Sequence, residues 1–230
     1  MKLRIVTSFL LIVLLCGCKQ NKTVISGAIE HSNSSYLLLM QIFPDEVVTV
    51  DTVLLLNGNF SHRIKSEQVG VYLLRFSDDV FLSFIANKGD KLVFSGDADN
   101  LLESYNIQGN EETKLLIENN RKLDQVYKET ETLSKEFIKH TNNGNLDSIR
   151  IIDSLYAVLF EQHRVYLTNF IRSNPDKLAS LMAFYQTLGR NAFFSIKEDR
   201  NLLEEIYPAL VKKYPNSVYA NDLKEKLEIE

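Results

Sequence analysis

The sequence predicts an α+β protein: an antiparallel, β-rich, sandwich-like domain followed by a helical domain built on a long antiparallel helical hairpin. Two observations lead there. From 23 to 109, β-branched and aromatic residues come in short runs bounded by turn formers, the pattern of strands. From Glu111 onward, apolar residues recur at spacings of three and four, the period of a helix. A third observation sets the frame: both cysteines fall within the first 18 of 230 residues, ahead of either domain.

In chain order, the first segment reads as an export signal. Lys2 and Arg4 supply a positive start, and Ile5 to Leu15 is uncharged. As a helix those eleven residues span about half the ~30 Å hydrocarbon core, too short for a comfortable membrane span. A positive start, a short apolar stretch and small residues at its end make a secretory signal peptide. Its end, Leu15-Cys16-Gly17-Cys18, resembles the bacterial lipobox. That resemblance implies cleavage after Gly17 and lipid on Cys18, with residues 1–17 removed and 18–22 as a polar lipidated tether. A simple membrane anchor, or a signal peptide cut elsewhere, remains open at this point. Two or three acyl chains hold durably where one does not.

Removing the first 17 of 230 residues leaves 213, and changes the net charge from −4 to −6 by loss of Lys2 and Arg4. A mildly acidic chain is a poor partner for nucleic acid, which needs a basic footprint. Two cysteines exclude a disulfide-rich scaffold and a four-cysteine zinc site.

The strand runs are 23–31, 35–43, 47–56, 59–65, 70–76, 80–86 and 91–96. Asn57-Gly58 is a hairpin signal, because both residues tolerate positive φ. Ser77-Asp78-Asp79 and Asn87-Lys88-Gly89-Asp90 read as further turns. Runs 70–76 and 80–86 are apolar on both alternating faces, so a sandwich core or a sheet covered by helices is expected.

Beyond 110, Leu116, Leu123, Val126, Leu133 and Phe137 form one helical stripe. Ile149, Ile152, Tyr156, Leu159, His163, Tyr166 and Phe170 form a second. Residues 141–145 separate them, which predicts two antiparallel arms of about 25–30 residues. Ser173-Asn174-Pro175-Asp176 reads as a cap with proline in the first turn. Shorter helices are expected at 176–188, 196–213 and 216–228, with Pro208 breaking or kinking the second of these.

With these elements in order, a family resemblance emerges. A lipobox is followed by Ile25-Ser26-Gly27, Val50-Asp51-Thr52-Val53, Asn57-Gly58-Asn59-Phe60, Gly89-Asp90-Lys91-Leu92 and Ile107-Gln108-Gly109-Asn110. The chain resembles Bacteroidetes lipoproteins that carry the N-terminal domain of unknown function 4369. Residues 173–176 and the run Lys213-Tyr214-Pro215-Asn216-Ser217-Val218-Tyr219-Ala220 are similar to its helical follow-on. In many such relatives a thioredoxin-like domain comes next. Here the sequence ends at Glu230 and has no Cys-x-x-Cys, so the resemblance does not carry thiol chemistry over.

The remaining candidates have bland readings. His31, His62, His140 and His163 lack metal-ligand spacing. His163 on the apolar stripe reads as a packed histidine. Asp97 and Asp99 resemble the start of a calcium loop, but a turn fits better. Gly89-Asp90-Lys91 is no phosphate loop. The run from Tyr214 to Ala220 resembles a helix start in tetratricopeptide-type scaffolds, where one copy is not an array.

These readings predict a non-enzymatic, lipid-anchored cell-envelope protein with a binding or adaptor role. It would sit on a bacterial membrane facing the periplasm, with a protein partner in the envelope. No catalytic, cofactor-binding or metal residue is assigned; Cys18 is the lipid attachment residue. Two alternatives stay open: an accessory or truncated member of a thiol-disulfide interchange or peroxide-reductase system, and an envelope-assembly scaffold.

Overall fold

The computed structural model describes residues 22–65, 67–77 and 80–228. The signal peptide, the Gly17 cleavage site, the lipidated Cys18 and most of the turn at 77–79 lie outside them. No helix among the described residues is long and apolar enough to cross a membrane.

Among the described residues, eight strands precede the long helices: β1 (Thr23–Glu30), β2 (Tyr36–Ile42), β3 (Val47–Leu54), β4 (Asn59–Ile64), β5 (Gly70–Arg75), β6 (Phe81–Ala86), β7 (Lys91–Asp97) and β8 (Asn106–Gln108). They form two four-stranded sheets, ordered β4-β1-β7-β8 and β3-β2-β5-β6. The short helix α1 (Leu101–Ser104) links β7 to β8. Asn57 and Gly58 both take positive φ, as the hairpin signal requires. Past the Leu56–Asn59 bridge, however, β3 and β4 part into different sheets. The pairing is antiparallel except for β1 with β7, which run parallel. There a Cβ on Gly27 would stand 2.3 Å from the Phe94 carbonyl oxygen, so only glycine permits the close approach.

Helices follow: α2 (Glu111–Asn142), α3 (Leu146–Ser173), α4 (Leu178–Phe184), α5 (Arg200–Lys213) and α6 (Val218–Lys226). Arms of 32 and 28 residues make the expected hairpin, about 48 and 42 Å long at ~1.5 Å per residue. Its turn places Gly144 at φ 67°, and Asn145 caps α3 by accepting from the Ser148 amide.

Three expectations need correction. The helix expected at 176–188 ends at Phe184, and a small hairpin of β9 (Thr187–Leu188) and β10 (Asn191–Ala192) follows. Gly189, at φ 62°, supplies its turn. Asn174 does not cap α4: it closes α3 instead, its Nδ2 donating to the Phe170 carbonyl. Pro208 lies inside an unbroken α5, where proline removes one backbone donor.

Both apolar faces of the β5–β6 pair are used, as their sequence implied. Tyr72, Leu74, Leu82 and Phe84 point into the space between the sheets, against Ile25, Leu92 and Phe94. Phe84 meets Phe94 edge-on at 5.2 Å, and Tyr72 stacks on Phe84 at 5.4 Å. On the opposite face, Val71 and Ile85 join the helical core with Leu116, Leu167, Leu203 and Leu223. The molecule is thus sheet on sheet with helices over one outer face.

Candidate functional site

The first turn of α2 is tied to the sheet by its own sequence. Asn110 caps the helix through the Thr113 amide, and its Nδ2 donates to the Ile85 carbonyl at 2.8 Å. Thr113 Oγ1 donates to the same carbonyl at 2.7 Å and accepts from the Ile85 amide. This anchoring points Glu112 into the helical layer, where it is only 3% exposed.

Four donors converge on that carboxylate. The amides of Leu178 and Ala179 donate to it at 3.2 and 3.0 Å, Tyr214 Oη at 2.6 Å and Lys213 Nζ at 3.2 Å. Lys213 also reaches Asp176 at 3.0 Å, and Lys177 pairs with Glu111. Burial and the Glu112 hydrogen bond push the Tyr214 phenol well above its usual range, so it remains a donor. The bond from Lys177 holds the Glu111 carboxyl below its usual value. With three donors on Oε1 and one on Oε2, Glu112 clasps the start of α2 to α4 and to the end of α5.

The run from Lys213 to Ala220 supplies two of the four donors of this clasp, Lys213 and Tyr214. Ser217 Oγ caps α6 by accepting from the Ala220 amide. Tyr219 Oη donates to the Ile42 carbonyl at 2.6 Å and accepts from the Val71 amide at 2.9 Å, tying α6 to the sheet. Beside it lies an open pocket of about 460 Å³ between the sheet edge and α5–α6, lined by Gln68, Asn87, Lys88, Lys213, Tyr214 and Asn216 among others. Its two lysines suit an anionic group, but each already has a carboxylate, Lys88 in Glu67 and Lys213 in Glu112 and Asp176.

The histidines separate into packed and exposed. His163 lies between Tyr166 and Phe193, with Nε2 3.2 Å from Gln186 Oε1, and burial lowers its pKa. It is a packed histidine, as its stripe position suggested. His140 stands 3.7 Å from Glu136, and His62 Nε2 lies 3.2 Å from Asp51 without hydrogen-bond alignment. His31 Nδ1 stands 2.9 Å from Asp97 Oδ1 and 3.9 Å from Asp99, and its pKa is raised, chiefly by the Asp97 bond. Glu30, His31 and Asp97 bring one ligand atom each within 4.8 Å, all at the exposed end of the β1–β7 pair. Asp97 also caps a short turn through the Asp99 amide, in keeping with the turn reading.

A second surface stands on the hairpin. Between α2 and α3 runs a groove of about 340 Å³, lined by Leu133, Leu155, Val158, Leu159, Glu129 and Gln162 among others. Beside it Ile151, Leu155, Val158 and Val165 are each 50–61% exposed. Core burial on α2 ends at Thr130, while α3 is buried at Ile152, His163, Leu167 and Ile171, so these apolar residues lie uncovered on the outward face of α3.

Residues 23–116 match the domain of unknown function DUF4369. Searches of curated proteins and of solved structures gave no match. The DUF4369 segment holds all eight sheet strands and the first turns of α2, so Glu112 belongs to it while its four donors come from beyond it.

Sequence reasoning missed both the clasp and the His31 cluster. Glu112 had a readable signal: it lies four residues before Leu116 on the apolar stripe, where a carboxylate needs buried partners. His31 and Asp97 are 66 residues apart and had none.

Proposed function

We propose that the protein is a non-enzymatic, lipid-anchored component of the bacterial cell envelope that works by binding a protein partner. The observation that carries this reading is the uncovered apolar surface on the outward face of α3 in the α2–α3 hairpin. Apolar side chains at half exposure, gathered along one helix rather than scattered, are the mark of a contact surface. The polar groups around the Glu112 clasp support a non-catalytic role, since Glu112, Tyr214 and Ser217 are each committed to structural hydrogen bonds. The lipid anchor rests on the Leu15-to-Cys18 motif, and a periplasm-facing body on that tether is the arrangement proposed.

The test of the anchor is Cys18→Ala in the full chain. The expected outcome is release from the membrane fraction and loss of metabolic lipid labelling. Continued retention would sink the anchor.

A further inference from the structure

The adaptor reading leaves the partner's identity open, and the inference here rests on that reading. Helix α3 has two apolar faces. One, carrying Ile152, Leu159 and Tyr166, turns toward α2 and the helical core. The other carries Ile151, Leu155, Val158, Gln162 and Val165, at alternating spacings of four and three. That average of 3.5 residues is the repeat of a helix-packing seam, not of scattered surface residues. All five are exposed.

Charges flank this second seam in a self-complementary order. Arg150 and Glu161 are three turns apart along one side of it, and both side chains are largely exposed. We propose that the seam pairs with the same seam of a second copy of this chain, with the two α3 helices antiparallel. A two-fold axis at the level of Leu155 and Tyr156 brings Arg150 opposite Glu161 of the second copy, twice by symmetry. The same axis sets Val158 between Ile151 and Leu155 of the second copy. In a parallel two-fold pairing the flank carrying Arg150 and Glu161 would instead face the other flank of the second copy, where Ser148, Ile152, Leu159 and Tyr166 offer no opposite charge. The charge order therefore selects the antiparallel, isologous arrangement. The contact runs about 27 Å along the helix from Asp147 to Val165, at ~1.5 Å per residue.

The test uses the full-length protein in detergent, measured by sedimentation across concentrations. Wild type is expected to reach twice the monomer mass, and Val158→Asp to remain monomeric. Arg150→Glu and Glu161→Arg should each weaken dimerisation at least fivefold, and the double reversal should restore it. Rescue by the double reversal is specific to self-pairing, because a different partner would meet two wrong charges instead of one. All three positions are exposed, so folding is retained and is checked by the melting curve. A monomeric wild type, or a double variant weaker than either single, overturns the proposal. A photo-crosslinking residue at position 158 in cells separates the two readings. An adduct of twice the chain mass supports self-pairing. An adduct of another mass overturns it while leaving the adaptor reading standing. No adduct of any kind overturns both.

Discussion

Replacing Glu112 with Ala removes the acceptor shared by four donors. The amides of Leu178 and Ala179, the Tyr214 hydroxyl and the Lys213 ammonium all lose their shared partner. Breaking a buried ion pair by removing one side costs about 3–5 kcal/mol. Lys213 is partly exposed and keeps Asp176, so about 3 kcal/mol is expected. Thermal unfolding checks this; an unchanged melting temperature would show that the clasp contributes nothing net. His163 gives a pH signature. Burial lowers its folded pKa below the ordinary 6.5, so the unfolded chain binds the proton more readily. Its contribution is fully present above pH 6.5 and is lost as pH falls through the window below that value, down to the folded pKa. Melting curves between pH 7.5 and 5 should therefore slope less in His163→Gln than in wild type.

At the scale of elements, the β1–β7 pair depends on one missing side chain. A Cβ on Gly27 would meet backbone, not a flexible side-chain end: 2.3 Å from the Phe94 oxygen and 2.9 Å from its carbonyl carbon. Gly27→Ala must push the parallel strands apart, and overpacking of this kind costs about 1–3 kcal/mol. Denaturant titration should show a lower midpoint with an unchanged slope. An unshifted midpoint would mean that the strands separate freely. The edge strand β3 shows another local device. Its register with β2 shifts between Leu39 and Met40, opposite Thr49 and Asp51. Such a bulge bends an exposed edge and discourages further strand addition.

For the molecule as a whole, the DUF4369 segment and the helices share one fold. Val71 and Ile85 lie in the segment but are buried under the helices, together with Val69. Exposing a fully buried aliphatic side chain costs about 1.5–3 kcal/mol. Residues 22–116 alone would expose these three and lose the donors of Glu112. The expected outcome is a fragment that aggregates or melts without a cooperative transition, while the full chain melts cooperatively. A soluble fragment with a sharp transition would show that the sandwich is self-sufficient. The Glu112 clasp and the bonds of Asn110 and Thr113 to Ile85 thus tie the start of α2 to both the sheet and the later helices.

Strand ends, helix spans and the change of pattern near 110 were legible because each is written in neighbouring residues. Alternation around Tyr72 and Phe84, the Asn57-Gly58 turn and the stripe through Ile152 and Leu159 are local signals, read over a few turns or strand residues. The small β9–β10 hairpin was missed because the apolar run through Phe184 hides the turn at Gly189. Pro208 was expected to interrupt α5, yet burial of Leu203, Ile206 and Leu210 on one face holds the helix continuous around it. The sequence by itself determined the kinds of element, their order and the two-faced character of β5 and β6. Only the tertiary structure decided that β1 runs parallel to β7, that Glu112 is capped from 66 to 102 residues away, and that one seam of α3 stays uncovered. The reason is range: propensity and periodicity act over a few residues, whereas pairing and burial are fixed by segments that meet only once the chain has folded.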